Sequence, residues 1–360
     1  MPRTFSVAVI AGDGIGQEVI PPAVEAVDAC GPSFGFTVEW EYYDWGSARY
    51  RSTGRLMPED GIERLRSHDA ILFGAVGTPD IPDTTTLWGL LMPIRRGFDQ
   101  YVNLRPVRHI AGMPSPLSDP DGIDIVVIRE NVEGEYSDVG GRQGTGDDEY
   151  AIQESRFTRR GTRRIAAYAA ELARTRSGRL TSATKSNGIL HTMPFWDEQV
   201  ASVVAGYPDV QLRPVLIDAL AAQIVRRPQD FDVIVASNLF GDILSDLTAA
   251  VVGSLGVAAS ANLNPERVFP SLFEPVHGSA PDIAGSGVAN PIAAVYAAAM
   301  MLDHLGEAEA AAGLTAAADA VLRDGPRTPD LGGTASTREV ASAVLTSLRG
   351  ESQAARTTRD

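Results

Sequence analysis

The stretch Asp232–Asp246, DVIVASNLFGDILSD, contains the pattern from which the fold of the chain can be inferred. After the leading aspartate, its first residues are apolar and mostly β-branched, which predicts a buried strand. The residues that follow predict a helix beginning at Asn238 or Gly241. Asp242 and Asp246 then lie on one helix face, where two carboxylates can bind Mg²⁺ or Mn²⁺. The competing explanation is an ordinary first helical turn, where the macrodipole favours acidic side chains.

The alternation of strand and helix recurs at the start of the chain. Val7–Ala11 and Ala70–Val76 are short apolar runs typical of buried strands, and a repeated order of strand, helix and strand is typical of a layered α/β fold. The turn Gly12–Gly16, GDGIG, invites comparison with the dinucleotide motif G-x-G-x-x-G. Gln17 and Val19, however, occupy the two positions where the third glycine would stand. A non-Rossmann turn is therefore predicted in this α/β fold, whose glycines either allow close approach of the backbone to a ligand or form a plain glycine-rich turn.

Composition and charge limit the possible partners. The chain has 360 residues, of which 44% are hydrophobic, enough for a large core in one or two domains. Its net charge of −15 argues against nucleic acid and anionic membrane surfaces as general partners. Cys30 is the only cysteine, which excludes an internal disulfide framework and a cysteine zinc site. With no apolar span of about 20 residues and no signal peptide, a cytoplasmic protein without a membrane partner is predicted.

The segment Leu87–Arg105 is the most basic part of this acidic chain. It contains three arginines, Arg95, Arg96 and Arg105, and only one nearby acid, Asp99. The planar guanidinium suits bidentate capture of carboxylates, so the segment predicts a site for a small di- or tricarboxylate. Arg129 ends the apolar run Ile123–Ile128, and a charge at the end of a buried strand needs a partner. The alternative is an ordinary solvated helix face with scattered ion pairs.

Three further polar residues follow predicted strands. Tyr136 comes shortly after Arg129, whereas Lys185 and Asp218 end two later strands. Loops at the carboxyl ends of strands are where α/β proteins bind ligands. A lysine in such a place is more often a surface charge than a catalyst. Near carboxylates and a metal ion it can instead serve in acid–base chemistry.

Six motifs follow one another along nearly the whole chain, and together they resemble a known family. They are GDGIG, FDQYVNLRP, RENVEGEY, TSATKSNG, SNLFGDILSDL and FEPVHGSAPDIAG. The set resembles the β-decarboxylating dehydrogenases, which include the isopropylmalate and isocitrate dehydrogenases. The resemblance implies an oxidoreductase.

The resemblance also implies the fold and the domains. The expected fold is α/β and isopropylmalate dehydrogenase-like, with a large twisted sheet of mixed parallel and antiparallel strands in two α/β domains. Residues 1–107 plus 255–350 would form a discontinuous cofactor-binding domain, and residues 108–254 a central domain for substrate, metal and dimerisation. Gly256–Leu263, small and turn-rich, is interpreted as a crossover between domains. Residues 351–360 are expected to form a flexible tail.

Individual roles follow from the same resemblance. It implies that the substrate carboxylates are held by Arg95, Arg105 and Arg129. It implies that Tyr136 and Lys185 are the acid–base pair. One Mg²⁺ or Mn²⁺ would be bound by Asp218, Asp242 and Asp246. In the family the lysine and one aspartate come from the partner subunit, so a homodimer with shared active sites is expected.

NAD is the cofactor that the resemblance implies. The expected contacts are His277, Gly278, Ala280, Asp282, Asn290 and Asn187. A carboxylate at Asp282 can accept hydrogen bonds from both ribose hydroxyls but repels a 2′-phosphate, which favours NAD over NADP. Without the surrounding motif, His277 would be interpreted as an ordinary loop histidine. Relatives commonly use K⁺, which is a further candidate ion.

The expected substrates are small 2-hydroxy dicarboxylates. LWGLLMPIRRGFDQYVNLRPVR and ATKSNG…MPFWDE are most similar to family members that oxidise tartrate to oxaloglycolate and convert D-malate to pyruvate and CO₂. Trp88 stands near a glutamate of the isopropylmalate enzymes, which argues against a branched substrate. 3-Isopropylmalate and isocitrate stay open as alternatives. A metal-dependent hydrolase would leave HGSAPDIAG unexplained, and a carboxylate-binding protein without catalysis would leave Tyr136 and Lys185 unexplained.

Overall fold

The computed structural model describes residues 3–357, with side chains described for residues 3–349. They form two compact units. The first unit contains residues 3–100, 107–121 and 249–357, and the second unit contains residues 101–106 and 122–248. Both units combine strands with helices, so the predicted α/β class is confirmed. Which unit binds which ligand stays a prediction.

Strands and helices alternate along most of the chain. The strands are β1 (Arg3–Gly12), β2 (Phe36–Tyr42), β3 (Ala70–Ala75), β4 (Val102–Arg108), β5 (Asp124–Glu130), β6 (Gly140–Gln143), β7 (Tyr150–Gln153), β8 (Arg179–Thr184), β9 (Gln211–Leu216), β10 (Val233–Ala236), β11 (Ala259–Leu263) and β12 (Ser271–Pro275). The α-helices are α1 (Gly16–Phe34), α2 (Ser47–Thr53), α3 (Gly61–Leu65), α4 (Asp83–Thr86), α5 (Met92–Gly97), α6 (Arg159–Thr175), α7 (Thr192–Val204), α8 (Ile217–Arg226), α9 (Asn238–Val252), α10 (Ile292–His304), α11 (Ala308–Asp324) and α12 (Thr337–Thr357). A π-helical segment, Leu87–Leu91, leads into α5.

The first unit has its core around strands in the order β2-β1-β3-β12-β11. β1 pairs in parallel with β2 and β3, β12 pairs in parallel with β3, and β11 runs antiparallel to β12. All six residues of β3 are buried, as its apolar sequence predicts for a strand covered on both faces. The largely apolar helix α10 packs against β11, β12 and α1. The pairing is therefore mixed, as the resemblance implies.

The second unit contains strands in the order β4-β5-β10-β8-β9, with β4 contributing residues 102–106. β10 pairs in parallel with both β5 and β8, and β8 pairs in parallel with β9. The four residues of β10 are buried, which confirms the strand predicted from DVIVA. Because parallel strands end at the same edge of a sheet, the segments that follow β5, β8, β9 and β10 lie at one edge.

One predicted turn region is a strand. Gly256–Leu263, interpreted as a turn-rich crossover, contains β11, all five residues of which are buried. Its sequence, ASANL, is too small and polar to show the usual strand pattern. The polar Asn262 is accommodated because its Nδ2 donates to Glu274 Oε1 at 2.7 Å. Burial of a polar side chain in a strand thus depends on a partner that local sequence does not reveal.

The GDGIG turn connects β1 to α1 by two glycines with positive φ, 70° at Gly12 and 54° at Gly14. A Cβ on Gly14 would come within 2.0 Å of the Ser279 carbonyl oxygen, so only glycine allows this approach. The Asp13 carboxylate accepts hydrogen bonds from Ser47 N, Ser47 Oγ and Gly77 N. The turn therefore fastens three loops of the first unit together.

Helix α12 extends into the tail that was expected to be flexible. Of the tail expected at 351–360, the backbone of 351–357 continues α12, and residues 358–360 lie outside the described residues. No helix in the described part of the chain has the length and apolarity needed to cross a bilayer.

Candidate active site

Helix α9 follows β10 almost directly and carries the two aspartates from which the fold was inferred. It begins at Asn238, and its first turn contains no acidic residue. Asp242 and Asp246 therefore lie beyond the region where the macrodipole is felt most strongly. The explanation as an ordinary helix start does not apply to them.

Asp242 is the centre of a cluster in the second unit. Its carboxylate forms an ion pair with Arg129 Nη1, lies 3.3 Å from Arg105 Nη1, and accepts a hydrogen bond from the Tyr136 hydroxyl at 2.6 Å. Asp246 lies 3.6 Å from the same Arg105 nitrogen. The structure thus brings together five of the predicted site residues from β4, β5, α9 and the loop after β5.

The two arginines of this cluster are buried and held by neutral partners as well. Arg129 is 2% exposed, and its Nε and Nη2 both donate to Asn238 Oδ1, at 3.0 and 2.7 Å. Its guanidinium also lies over the Tyr136 ring, 5.1 Å from the centroid. Arg105 donates to Ser245 Oγ at 2.6 Å. Helix α9 therefore orients both guanidinium groups through its own side chains, which limits their freedom before any ligand binds.

Asp246 has an unusual electrostatic environment. Partial burial, together with the charge of Asp242, raises the pKa of its carboxyl, while the guanidinium groups of Arg105 and Arg129 oppose the shift. Two carboxylates one helical turn apart repel each other, and a divalent cation between them would offset that repulsion. Their oxygen donors fit Mg²⁺ or Mn²⁺, so the residues present suit the predicted metal.

The third predicted metal ligand lies elsewhere. Asp218, in the first turn of α8, accepts a hydrogen bond from Lys185 Nζ at 2.8 Å, which lowers the pKa of its carboxyl. Within residues 3–349, no three His, Cys, Asp or Glu side chains form a group that could hold a metal ion. Asp242 and Asp246 thus provide a partial ligand set within one chain.

Lys185 directly follows β8 and is partly exposed. It is the only lysine of the chain; the other 30 of the 31 basic residues are arginines. Arginine and lysine differ most in that lysine can release its proton under mild conditions. A single lysine in a chain that otherwise uses arginine indicates a role that needs a removable proton. The composition of the sequence alone could have revealed it.

In the first unit, Arg95 forms a buried ion pair. Its Nη2 donates to Glu274 Oε1 at 2.9 Å, and the two side chains are 6% and 7% exposed. Its Nε is buried and has no hydrogen-bond partner among the described residues. Buried donors are normally satisfied, so this nitrogen is a candidate donor to a ligand. Arg96 is different, since its guanidinium lies exposed over the Trp88 ring, 4.8 Å from the centroid.

The loop predicted to bind the cofactor is fastened to α1. Ile15 N donates to Ser279 O at 2.9 Å, and the Glu18 carboxylate accepts from the backbone N–H groups of Gly285 and Gly287. Ala280 adopts a left-handed backbone conformation with φ of 40°. The GDGIG turn therefore shapes this loop, which explains its glycines without a Rossmann site.

His277 supplies a test of whether this loop fits a nucleotide. Its Nδ1 lies 3.0 Å from Gly278 O, and since a carbonyl only accepts, Nδ1 must carry the proton. Burial lowers the pKa of the ring, so Nε2 of the neutral imidazole is an acceptor. That atom is buried and has no partner in the described part of the chain. An amino group of a bound ligand would satisfy it, so the loop fits a base such as adenine.

The other predicted cofactor residues divide by exposure. Gly278 and Asp282 are exposed on the loop, and Asn187 is exposed in the turn after β8 of the second unit. Asn290 is buried, and its Nδ2 donates to Asp330 at 3.0 Å while its Oδ1 accepts from Ile292 N at the start of α10. Asn290 is thus already hydrogen-bonded within the first unit.

Several residues of the site were missed from the sequence. Asn238, Ser245 and Glu274 orient the predicted arginines, and Glu135 binds the start of α9. All four residues lie within motifs already singled out, so position in a motif was the available signal. Glu274 lies 179 residues from Arg95, and no local pattern connects them.

Known proteins are similar to this chain over nearly its full length. The family model for isocitrate/isopropylmalate dehydrogenase matches residues 6–344. D-malate dehydrogenase (decarboxylating) of Escherichia coli (strain K12) is 53% identical over 355 residues, covering 96% of this chain and 98% of the relative. A probable tartrate dehydrogenase/decarboxylase of Bacillus subtilis (strain 168) is 50% identical over 353 residues, covering 96% and 99%.

A solved structure agrees with this assignment. The crystal structure of isocitrate dehydrogenase from Methylococcus capsulatus matches with a TM-score of 0.85 at 34% identity, covering 96% of this chain and 99% of that chain. The resemblance inferred from six motifs is therefore confirmed, as is the isopropylmalate dehydrogenase-like fold. The chain belongs to the isocitrate/isopropylmalate dehydrogenase family of oxidoreductases.

Proposed function

We propose that this chain catalyses the NAD-dependent and divalent-metal-dependent oxidation of 2-hydroxy dicarboxylates, with tartrate and D-malate as the first candidates. The observation that carries the proposal is the cluster of Arg105, Arg129, Tyr136, Asp242 and Asp246 in the second unit. The names of the relatives, a D-malate dehydrogenase and tartrate dehydrogenases, support the substrate class. Tartrate would give oxaloglycolate, and D-malate would give pyruvate and CO₂.

The arginines would bind and orient the substrate. Arg105 and Arg129 are buried and already oriented by Ser245 and Asn238, so little conformational entropy is lost when they engage a carboxylate. Arg95 would contribute its unpartnered Nε, while Glu274 fixes its guanidinium plane. Alignment of the reacting bonds is worth several kcal/mol, on the order of 7–11 in well-oriented systems.

Lys185 and Tyr136 would move the protons. Oxidation at C2 breaks the C–H and O–H bonds of the substrate. Lys185 would accept the hydroxyl proton through a water molecule, and NAD, when bound, would supply the hydride acceptor. With D-malate, the bond to the β-carboxylate then breaks, CO₂ leaves, and the electron pair remains as an enolate. Tyr136 protonates its carbon to give pyruvate. Atoms and electrons balance with one NAD reduced per substrate.

The cofactors would supply what the side chains cannot. A divalent cation held by Asp242 and Asp246, with Asp218 of the partner subunit, would lower the pKa of the substrate hydroxyl and stabilise the enolate charge. NAD would accept the hydride, with its adenosine against His277 and the loop around Asp282. The carboxylate of Asp282 is exposed on that loop, and its charge disfavours a 2′-phosphate, so NAD is preferred over NADP. K⁺ is a further candidate ion.

A homodimer with shared sites is part of the proposal. Lys185 and Asp218 pair with each other, and the third carboxylate is missing from the cluster around Asp242 among the described residues. Exposed apolar side chains on α9, Leu239 and Ile243, suit contact with a second copy of the chain. The antiparallel ribbon of β6 and β7 also exposes an apolar side chain, Ile152.

One panel of assays tests the reaction. NADH formation is followed by absorbance with Mn²⁺ and, in turn, D-malate, the tartrate isomers, 3-isopropylmalate and isocitrate, with NADP as the alternative cofactor. We expect the four-carbon acids and NAD to give the highest kcat/KM, and pyruvate and CO₂ to form from D-malate. A higher kcat/KM with 3-isopropylmalate or isocitrate would make that acid the substrate in place of tartrate and D-malate. If none of these acids yields NADH, the proposed reaction is contradicted.

A further inference from the structure

The loop that carries Tyr136 is held by the glutamates of RENVEGEY in a repeated pattern. The Glu133 carboxylate accepts hydrogen bonds from Thr158 N at 2.8 Å and Thr158 Oγ1 at 2.6 Å, at the start of α6. The Glu135 carboxylate accepts from Leu239 N at 3.1 Å and Ser237 Oγ at 2.7 Å, at the start of α9. Each glutamate thus binds the first turn of one helix through one hydroxyl and one backbone N–H.

Only the helix bound by Glu135 carries site carboxylates. Tyr136, the next residue along the chain, donates its hydroxyl proton to Asp242 Oδ2 at 2.6 Å. Leu239 and Asp242 are three residues apart and so lie one turn apart on the same side of α9. The consecutive residues Glu135 and Tyr136 therefore hold consecutive turns of one helix.

Tyr136 lies directly beside this attachment, in a loop that is partly exposed. The Tyr136 side chain is partly exposed, and from Asp138 onward the residues leading to the β6–β7 ribbon are exposed. The loop is fixed from the other side by Glu130, whose carboxylate accepts from Val132 N and Glu133 N. Before Tyr136, Glu135 is thus the last residue with a side chain that joins the loop to α9.

We propose that Glu135 is a positioning residue that sets the place of the Tyr136 hydroxyl relative to the substrate. The inference rests on the proposed function, in which Tyr136 protonates the substrate carbon. Loss of the two hydrogen bonds loosens the loop where the Glu135 side chain joins it to α9, while Gln153 Nε2 still donates to Glu135 O and Asn238 Nδ2 to Glu133 O. A displacement of about 1 Å can lower a rate by about 100-fold. The Glu135 carboxylate binds Ser237 and Leu239 rather than the predicted carboxylate-binding arginines, so substrate binding should change little.

The test compares E135A with its matched control E133A. Each variant removes one glutamate that binds a helix start, so both should lower Tm by a few degrees. We expect E135A to lower kcat for pyruvate formation from D-malate by about 10- to 100-fold, with KM changed by less than about twofold. E133A should keep kcat within about threefold of the wild type. E135Q, which retains one acceptor oxygen for Leu239 N, should recover most of the lost kcat.

A double-mutant cycle identifies the residue through which Glu135 acts. In the Y136F background, E135A should cost less than about threefold in kcat, because the hydroxyl that it positions is already gone. An equal loss in both backgrounds would overturn the inference, as would equal losses from E135A and E133A. A raised Mn²⁺ requirement in E135A would also overturn it, because Glu135 would then act on the α9 carboxylates. Wild-type protein that forms no NADH contradicts the proposed function instead, so the two failures are distinguishable.

Discussion

Replacement of Lys185 with arginine is expected to lower kcat for D-malate oxidation by about 10²- to 10⁴-fold, the usual contribution of a positioned acid–base group. Arginine retains the positive charge and can keep the ion pair with Asp218. It cannot release its proton near neutral pH, so a base is lost while the electrostatic field is largely kept. Since the chain uses arginine for every other basic side chain, an arginine at position 185 would serve if charge alone were required.

The matched control exchanges the same two residue types at a comparable ion pair. Arg174 pairs with Asp209 at 2.9 Å, and both side chains are about half exposed. Exchange of an exposed pair changes stability little, and Arg174→Lys should leave kcat unchanged. Stopped-flow NADH formation at saturating substrate, NAD and Mn²⁺ gives the comparison. A K185R variant with kcat within about threefold of the wild type would show that Lys185 acts only through its charge.

Asp246→Asn is expected to raise the Mn²⁺ concentration for half-maximal activity by at least about 10- to 100-fold, the loss typical even of outer-sphere changes at metal sites. Asparagine keeps the size of the side chain but removes the charge that draws a hard cation. The Asp246 side chain is 59% exposed, and its neutralisation relieves repulsion from Asp242, so folding should be little affected.

Calorimetric titration with Mn²⁺ separates metal binding from catalysis in this variant. The control is Glu339→Gln in the first turn of α12, where the carboxylate accepts hydrogen bonds from Ser336 N and Oγ. That change should reduce Tm slightly and leave Mn²⁺ affinity unchanged. A D246N protein that loses stability but binds Mn²⁺ as the wild type does would make Asp246 a structural residue.

The main elements of the fold were predictable where burial and periodicity agree. DVIVA forms β10, because a short apolar run followed by turn residues is typical of a buried strand. The aspartates that follow lie on one face of α9, because residues four apart in a helix are nearly in register. β11 was missed since ASANL lacks that pattern. Its burial depends on pairing with β12 and on Glu274, which accepts from Asn262.

Five residues that cluster in the structure were named from the sequence, but their contacts with one another were not. The arginines were identified by charge and by motif, yet their partners come from distant parts of the chain: Arg129 lies 113 residues from Asp242, and Arg105 lies 140 residues from Ser245. Such pairings follow from strand order, which a single sequence does not specify. Asp242 also proved to be an acceptor for Tyr136, a role that motif spacing could not indicate.

The most direct test asks whether two copies of the chain share one active site. It uses the fact that Lys185 and Asp218 pair with each other and not with the cluster around Asp242. If one active site takes Lys185 from one copy and Asp246 from another, K185R and D246N should complement each other when assayed at a Mn²⁺ concentration that just saturates the wild type, where each variant alone is nearly inactive. Equal amounts, carrying different tags, are dissociated, mixed and reassociated, and NADH formation from D-malate is measured with hybrid formation confirmed by tandem purification. Random pairing places one intact site in half of the dimers, so we expect about a quarter of wild-type activity. Hybrid dimers with no more activity than the two parent variants would contradict a shared active site.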